Sequence, residues 1–464
     1  MSTTHSKLTI TNADSLVFGQ SPHPVRCGFG LEIGAGEVFP EVNFTLPAIA
    51  ITESTWSQVV AHYDEIARNV LKRAVSLRAP GIVLEFELLP AMTEQPEWGA
   101  EITALLRGHL AEAHAKFGLR SALRVTPTDI RDQRKPPVLR GGAPWEKLRR
   151  TFERTIAAGA DIVSIESVGG KEVHDQGLMY GDLRAIVFGL GCLAPRDMAW
   201  LWDQIAGMCV EAGGTAAPGG DTACGFANTA MQLAHQKMLP EVLAAVVRAM
   251  SAVRSLVAFG HGAVGPSKDC AYEGPVIKAI TGCPISMEGK SATCAHFSPV
   301  GNIAAAMCDL WSNESVQNVR LLSGNAPEAF AELLVYDCRL MNTAAGNGQS
   351  RLMRDWLVAS DEWLSPQAAV LSPASVIRIA QAIVEADDDY QATTAAGRTA
   401  VAIIKEGVAA GRLSLGKKEA QWLERIEAEM DGLPATEAKA LDELGKECRE
   451  LFDPDSYGLP SGRV

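Results

Sequence analysis

Residues 161–167, DIVSIES, read as a β-strand that ends on a carboxylate. Alternation sets Ile162, Ser164 and Glu166 on one side and Val163 with Ile165 on the other. The aliphatic pair suits a helix-covered face, so Glu166 turns toward the opposite one. Runs of similar character recur at 47–51, 82–88, 122–126, 215–218, 257–260, 285–288 and 319–322. The run at 215–218, TAAP, has little β-propensity and is placed by the rhythm of the others. Amphipathic stretches separate the runs, beginning with 55–76, where Val59, Val60, Tyr63 and Ile66 share a face behind Thr55 as N-cap. Eight strand–helix units over roughly 300 residues predict an α/β protein of the (β/α)8 TIM-barrel type. No GxGxxG follows the first run, which counts against a dinucleotide-binding open sheet.

Outside the repeat the pattern changes. Residues 1–40 hold one β-like run at 7–10 and several turn residues, and read as an N-terminal extension. The barrel is expected over 41–345. Residues 346–464 read as a C-terminal helical segment: Ser372-Pro373 opens a helix with Val376, Ile379, Ala380 and Ile383 on one face.

Composition narrows the class of function. The chain has 464 residues, 47% of them hydrophobic, which is enough to bury a large core and argues against disorder. Its formal charge of −13 offers no positive field to recruit nucleic acid or an anionic membrane. The richest apolar window, 243–260, is interrupted by Arg248 and Arg254, so no membrane span is expected. MSTTHSKLTI has no charged start followed by an apolar stretch, so a cytoplasmic protein is expected. The ten cysteines contain no CxxC pair and are expected to be reduced.

In a barrel of this kind chemistry sits at the carboxyl ends of the strands. Three metal-capable side chains fall there in succession. Glu166 ends the fourth run. Cys224 lies in GGDTACGFANTA after the fifth, and Cys270 lies in HGAVGPSKDCAYEG after the sixth. Both thiols precede helices, whose dipoles favour the thiolate that binds metal. One Glu and two Cys make a three-ligand set with an open position, the pattern of a catalytic zinc. Two thiolates favour zinc over magnesium or calcium. Cys294 and His296, in TCAHF, rank second. The remaining cysteines read as packed thiols.

The segments SIESVGGKEVHD (164–175), GGDTACGFANTAM (219–231) and GPSKDCAYEG (265–274) resemble the zinc-dependent methanol:corrinoid methyltransferase subunit of methylotrophic methanogens and some anaerobic bacteria. The resemblance runs from about residue 40 into the C-terminal helices. It implies a barrel with added helices, a zinc ion held by Glu166, Cys224 and Cys270, methanol as substrate, and a homodimer working with a corrinoid carrier protein. None of the nine histidines lies in the Asp-x-His-x-x-Gly motif of corrinoid carriers, so the corrinoid is expected in trans.

The implied step is attack of cobalt(I) on the methyl carbon while zinc, as a Lewis acid, holds the oxygen. Three anionic ligands leave the zinc set one net negative charge, which weakens that acid. A proton donor is therefore expected, with His261, Asp221 and Lys268 as candidates. Asp221 could instead cap the next helix, and Lys268 could instead lower the pKa of the neighbouring thiol. Three rivals stand beside this reading: a methoxylated methyl donor, a thiol acceptor, and a non-catalytic zinc-containing scaffold that docks a corrinoid protein.

Overall fold

The computed structural model describes residues 5–45, 49–268, 270–289, 298–316, 320–321 and 324–459. An antiparallel hairpin, β1 (Gln20–Cys27) with β2 (Leu31–Ala35), precedes the main sheet. Among the described residues seven parallel strands follow: β3 (Phe39–Thr45), β4 (Ile82–Leu88), β5 (Ser121–Pro127), β6 (Ile162–Ile165), β7 (Ala217–Asp221), β8 (Ser286–Glu288) and β9 (Leu310–Val316). Their order is β7-β6-β5-β4-β3-β9-β8, so the first and last strands of the repeat lie side by side. That pairing is the signature of a sheet curled toward a TIM-like barrel.

The sheet departs from eight strands at one place. Residues 257–260, expected as the sixth strand, form the end of the helix Glu241–Gly260. A short apolar run does not by itself distinguish a strand from a buried helix. This helix is buried almost throughout, its Arg248 and Arg254 included, and the helix Asp389–Ala409 packs along it. It is long and apolar enough to cross a membrane, yet it is buried inside the fold. Between β7 and β8 runs the extended segment 264–268. Val264 N–H donates to Pro218 O at 2.8 Å, and Ser267 bridges Ile285 in parallel. Gly265 and Pro266 leave this segment too few donors and side chains to form a longer ladder.

Two other expected runs shift. The runs at 47–51 and 319–322 lie partly outside the described residues, and the strands of those units are β3 and β9, upstream of each. The helical stretch after β7 is interrupted by a turn at Lys237, with φ +61°, ahead of Pro240.

The alternation expected of 161–167 holds. Val163 and Ile165 join the helix-side core, while Ile162 packs inside with Val83, Ala122 and Leu310 against Leu31 and Ile33 of the hairpin. The hairpin thus closes the amino-terminal end of the sheet. Above this apolar layer the interior becomes charged. Arg124 donates to Glu41 Oε1 at 2.6 Å, to Ser164 Oγ at 2.8 Å and to Pro266 O at 2.9 Å.

Candidate metal centre

The charged interior leads to the carboxyl end of the sheet, where the three sequence candidates meet. One carboxylate oxygen of Glu166 and the Sγ atoms of Cys224 and Cys270 all lie within 4.8 Å of one another. Cys270 Sγ is 3.9 Å from Glu166 Oε1. A tetrahedral zinc ion with ordinary bond lengths separates its sulfur and oxygen ligands by about 3.6–3.8 Å. The donors are therefore close to the spacing such an ion needs.

Each donor reaches the cluster by a different local device. Glu166 follows β6 directly and bridges Thr128 at the end of β5. The chain then turns through Gly169 and Gly170. A Cβ on Gly169 would lie 2.3 Å from Asp197 Cβ, and Gly170 has φ +82° with Gly189 O packed against it, so neither position admits a side chain. Asp129 accepts from Val168 N at 3.1 Å, Asp221 from Ser167 N at 3.3 Å, and Tyr457 Oη from Gly170 N at 2.8 Å. Arg131 links Asp129 to Asp197, and Arg254 contacts Asp221 at 3.0 Å, all with side chains at 0% exposure.

Cys224 opens a π-helical turn, Cys224–Asn228, between β7 and the helix Thr229–His235. Turns of this wide kind are frequent at functional sites. Asn228 Nδ2 ties the two thiol loops together, lying 3.5 Å from Cys224 Sγ and 2.7 Å from Cys270 O. Glu273 Oε1 accepts from Ala223 N and Ser255 Oγ, fixing the residue before Cys224.

The electrostatics keep both thiols protonated without a metal. At Cys224 the hydrogen bond with Cys270 pulls the pKa down, but burial and the Glu166 charge outweigh it and leave it pushed up to about 11. Burial, then the contact with Cys224, drives Cys270 well above the ordinary thiol range. A divalent cation would displace those protons and satisfy both sulfurs.

The structure puts the three proton-donor candidates in three different settings. Lys268 lies against the cluster, its Nζ 3.2 Å from Glu166 Oε1, 3.4 Å from Glu85 Oε1 and hydrogen-bonded to Glu87 Oε1. Burial opposes its charge, but Glu85, Glu87 and Glu166 prevail and hold the ammonium well above its ordinary pKa. Asp221 is wholly buried and engaged with Arg254, Ser167 N and Trp202 Nε1. His261 lies at the other end. It precedes Val264, which pairs with the start of β7, and its Nδ1 contacts Asp203 Oδ1 at 2.8 Å. Cys294 and His296 fall outside the described residues.

One pair escaped the sequence reading. Glu85 and Glu87 of β4 both face the interior, whereas Leu84, Phe86 and Leu88 join the helix-side core. Two carboxylates at i and i+2 of an otherwise apolar strand, in EFEL, were the available signal. Burial raises Glu85 to about 7 against the pull of Lys268. At Glu87 burial acts in the same direction, but Lys268 and Asn43 win and hold the carboxyl below its ordinary range. A cavity of about 320 Å³ opens beside the cluster, lined among others by Glu87, Asp129, Glu166, Lys171 and Gly225. A larger concavity of about 540 Å³, beside the amino-terminal hairpin, holds no titratable side chain.

Comparisons with known proteins converge on one family. Residues 2–458 match the family model described as the methanol-cobalamin methyltransferase B subunit (MtaB). The chain is 38% identical over 462 residues to the methanol–corrinoid protein co-methyltransferase of Methanosarcina barkeri, covering 98% of this chain and 99% of that protein. It is also similar to a chain in the crystal structure of the methanol:cobalamin methyltransferase complex MtaBC from the same organism. The TM-score is 0.94 and the identity 37%, over 98% of this chain and 99% of the other.

Proposed function

This chain belongs to the methanol-cobalamin methyltransferase B subunit family, and on that premise we propose that it moves the methyl group of methanol to the cobalt(I) corrinoid of a partner protein. In this reading Glu166, Cys224 and Cys270 hold a zinc ion. The observation that carries the proposal is the convergence of those three donors within 4.8 Å at the carboxyl end of the sheet. When bound, zinc would supply Lewis-acid polarisation of the C–O bond.

The chain's own residues account for the rest. Glu166 provides a hard oxygen donor and the two cysteines provide soft ones, so the set favours zinc over magnesium or calcium. Lys268 Nζ holds a proton and a positive charge beside Glu166, offsetting the net negative charge of the donor set. The buried ion pairs around Ser167–Gly170 fix the direction in which Glu166 points. The cavity of about 320 Å³ is about ten times the volume of a water molecule. It leaves room for a one-carbon alcohol together with the approach of a corrinoid from a second protein. Supply of the corrinoid in trans is supported by the MtaBC complex in which the similar chain was solved.

We further propose that the sheet completes a (β/α)8 barrel through segment 264–268 and that two copies of the chain associate. Exposed Leu333, Tyr336 and Leu340, at helical spacing on one face of the helix Ala326–Gly346, support the second point.

The test is methyl transfer from methanol to cob(I)alamin, free or on a corrinoid protein, followed through the cobalt absorption spectrum. Conversion that depends on added zinc is the expected result. Turnover with a methoxylated donor alone, or with a thiol acceptor alone, would reassign the substrate. Binding of a corrinoid protein without any turnover would leave a docking scaffold.

A further inference from the structure

Glu87 stands in the cavity wall with one of its two oxygens held from behind. Oε1 accepts from both Lys268 Nζ and Asn43 Nδ2, the latter at 3.1 Å. Oε2 has no hydrogen bond among the described residues. The residue lines the same cavity as Glu166, and its side chain keeps 30% exposure. Glu85, two residues earlier, also meets Lys268, but its side chain is 3% exposed, it accepts from Thr126 Oγ1, and it does not line the cavity. Asp129 and Asp221 are engaged by arginines. Glu87 is thus a partly exposed carboxylate, braced on one oxygen, in the wall of the cavity where a small substrate would sit. Lys268 joins Glu87 Oε1 to Glu166, so Glu87 is linked to the metal-capable cluster through one ammonium group.

We propose that Glu87 is a substrate-contacting residue that is not itself a metal ligand: its Oε2 accepts the hydrogen bond of the alcohol O–H and so fixes the direction of the C–O bond. This rests on the methanol reading given above. An anionic acceptor held from behind can take one hydroxyl hydrogen without moving, which is how a site orients a substrate too small to be gripped by its shape. An ether oxygen has no hydrogen to give, so the same feature selects alcohols over methoxylated compounds.

The experiment compares zinc-loaded wild type with Glu87→Gln, Glu87→Asp and Glu85→Gln. Zinc content is read by elemental analysis, methanol binding without corrinoid by line broadening of [13C]methanol, and transfer kinetics to cob(I)alamin by absorbance. The expected result for Glu87→Gln is full zinc, and methanol binding and KM weakened about tenfold or more. Glu87→Asp should recover part of that loss, and Glu85→Gln should weaken methanol binding clearly less than Glu87→Gln. Unchanged methanol binding in Glu87→Gln would overturn the proposal while leaving the methanol reading intact. So would an equal loss in Glu85→Gln, which would mean that both carboxylates act through Lys268, and so would loss of zinc in Glu87→Gln. If wild type neither binds methanol nor transfers its methyl group, both readings fall together.

Discussion

The carboxylate side of the candidate centre and its thiol side are built differently. Glu166 sits on a loop held by Asp129, Asp221 and Tyr457, with Arg131 and Arg254 buried behind them. The thiols sit on a π-helical turn and on a loop that follows a one-bridge excuse for a strand, joined chiefly through Asn228. Removing one partner from a buried ion pair strands a charge, so the first side is rigid by construction. The second side carries two protonated thiols whose loops are held by Glu273 and Asn228. The difference teaches that one donor is positioned through buried ion pairs and the other two through neutral hydrogen bonds and one carboxylate, Glu273.

The comparison breaks most visibly on the thiol side. Cys224→Ala or Cys270→Ala should lose stoichiometric zinc and abolish methyl transfer, with the apo protein's melting temperature little changed. Elemental analysis and calorimetry check this. Glu166→Gln should retain some zinc at weakened affinity. On the carboxylate side the largest effect should fall on stability. Asp197→Ala leaves Arg131 buried with half its partners and should destabilise the fold by about 3–5 kcal/mol in denaturant titration.

Zinc affinity should also climb with pH. Both thiols hold their protons more tightly than ordinary cysteines, and binding must release both. The apparent association constant should therefore rise on the order of a hundredfold per pH unit in the neutral range, as measured by competition with a chelator. A slope near zero would mean that the thiols are not the donors. The smallest effect is reserved for Cys338→Ala. Cys338 is fully buried on the helix Ala326–Gly346, far in role from the cluster, and its replacement should change neither zinc content nor transfer.

Much of this arrangement is legible in the sequence. Residues 161–167 announced their faces by alternation, because a strand with one side under helices and the other toward the sheet interior must alternate. Cys224 and Cys270 stood out because Gly-rich turns put them at strand ends. The unit around residue 260 was not legible. VAFG has strand-like composition, yet it ends a helix in which Val257 and Ala258 are buried, and the extended segment that follows, VGPSK, lacks β-branched residues after Val264. The Lys268–Glu85–Glu87 network was hidden for another reason. Its members come from distant parts of the chain, and periodicity reports which way a side chain faces, not which partner it meets.

X-ray absorption at the zinc edge of the purified, zinc-loaded protein tests the central assignment most directly. Two sulfur scatterers at about 2.3 Å, with the remaining ligands oxygen or nitrogen at about 2.0–2.2 Å, is the result expected, falling to one sulfur in Cys224→Ala if that variant is forced to load. A spectrum without sulfur, or one unaltered by removing Cys224, would contradict it.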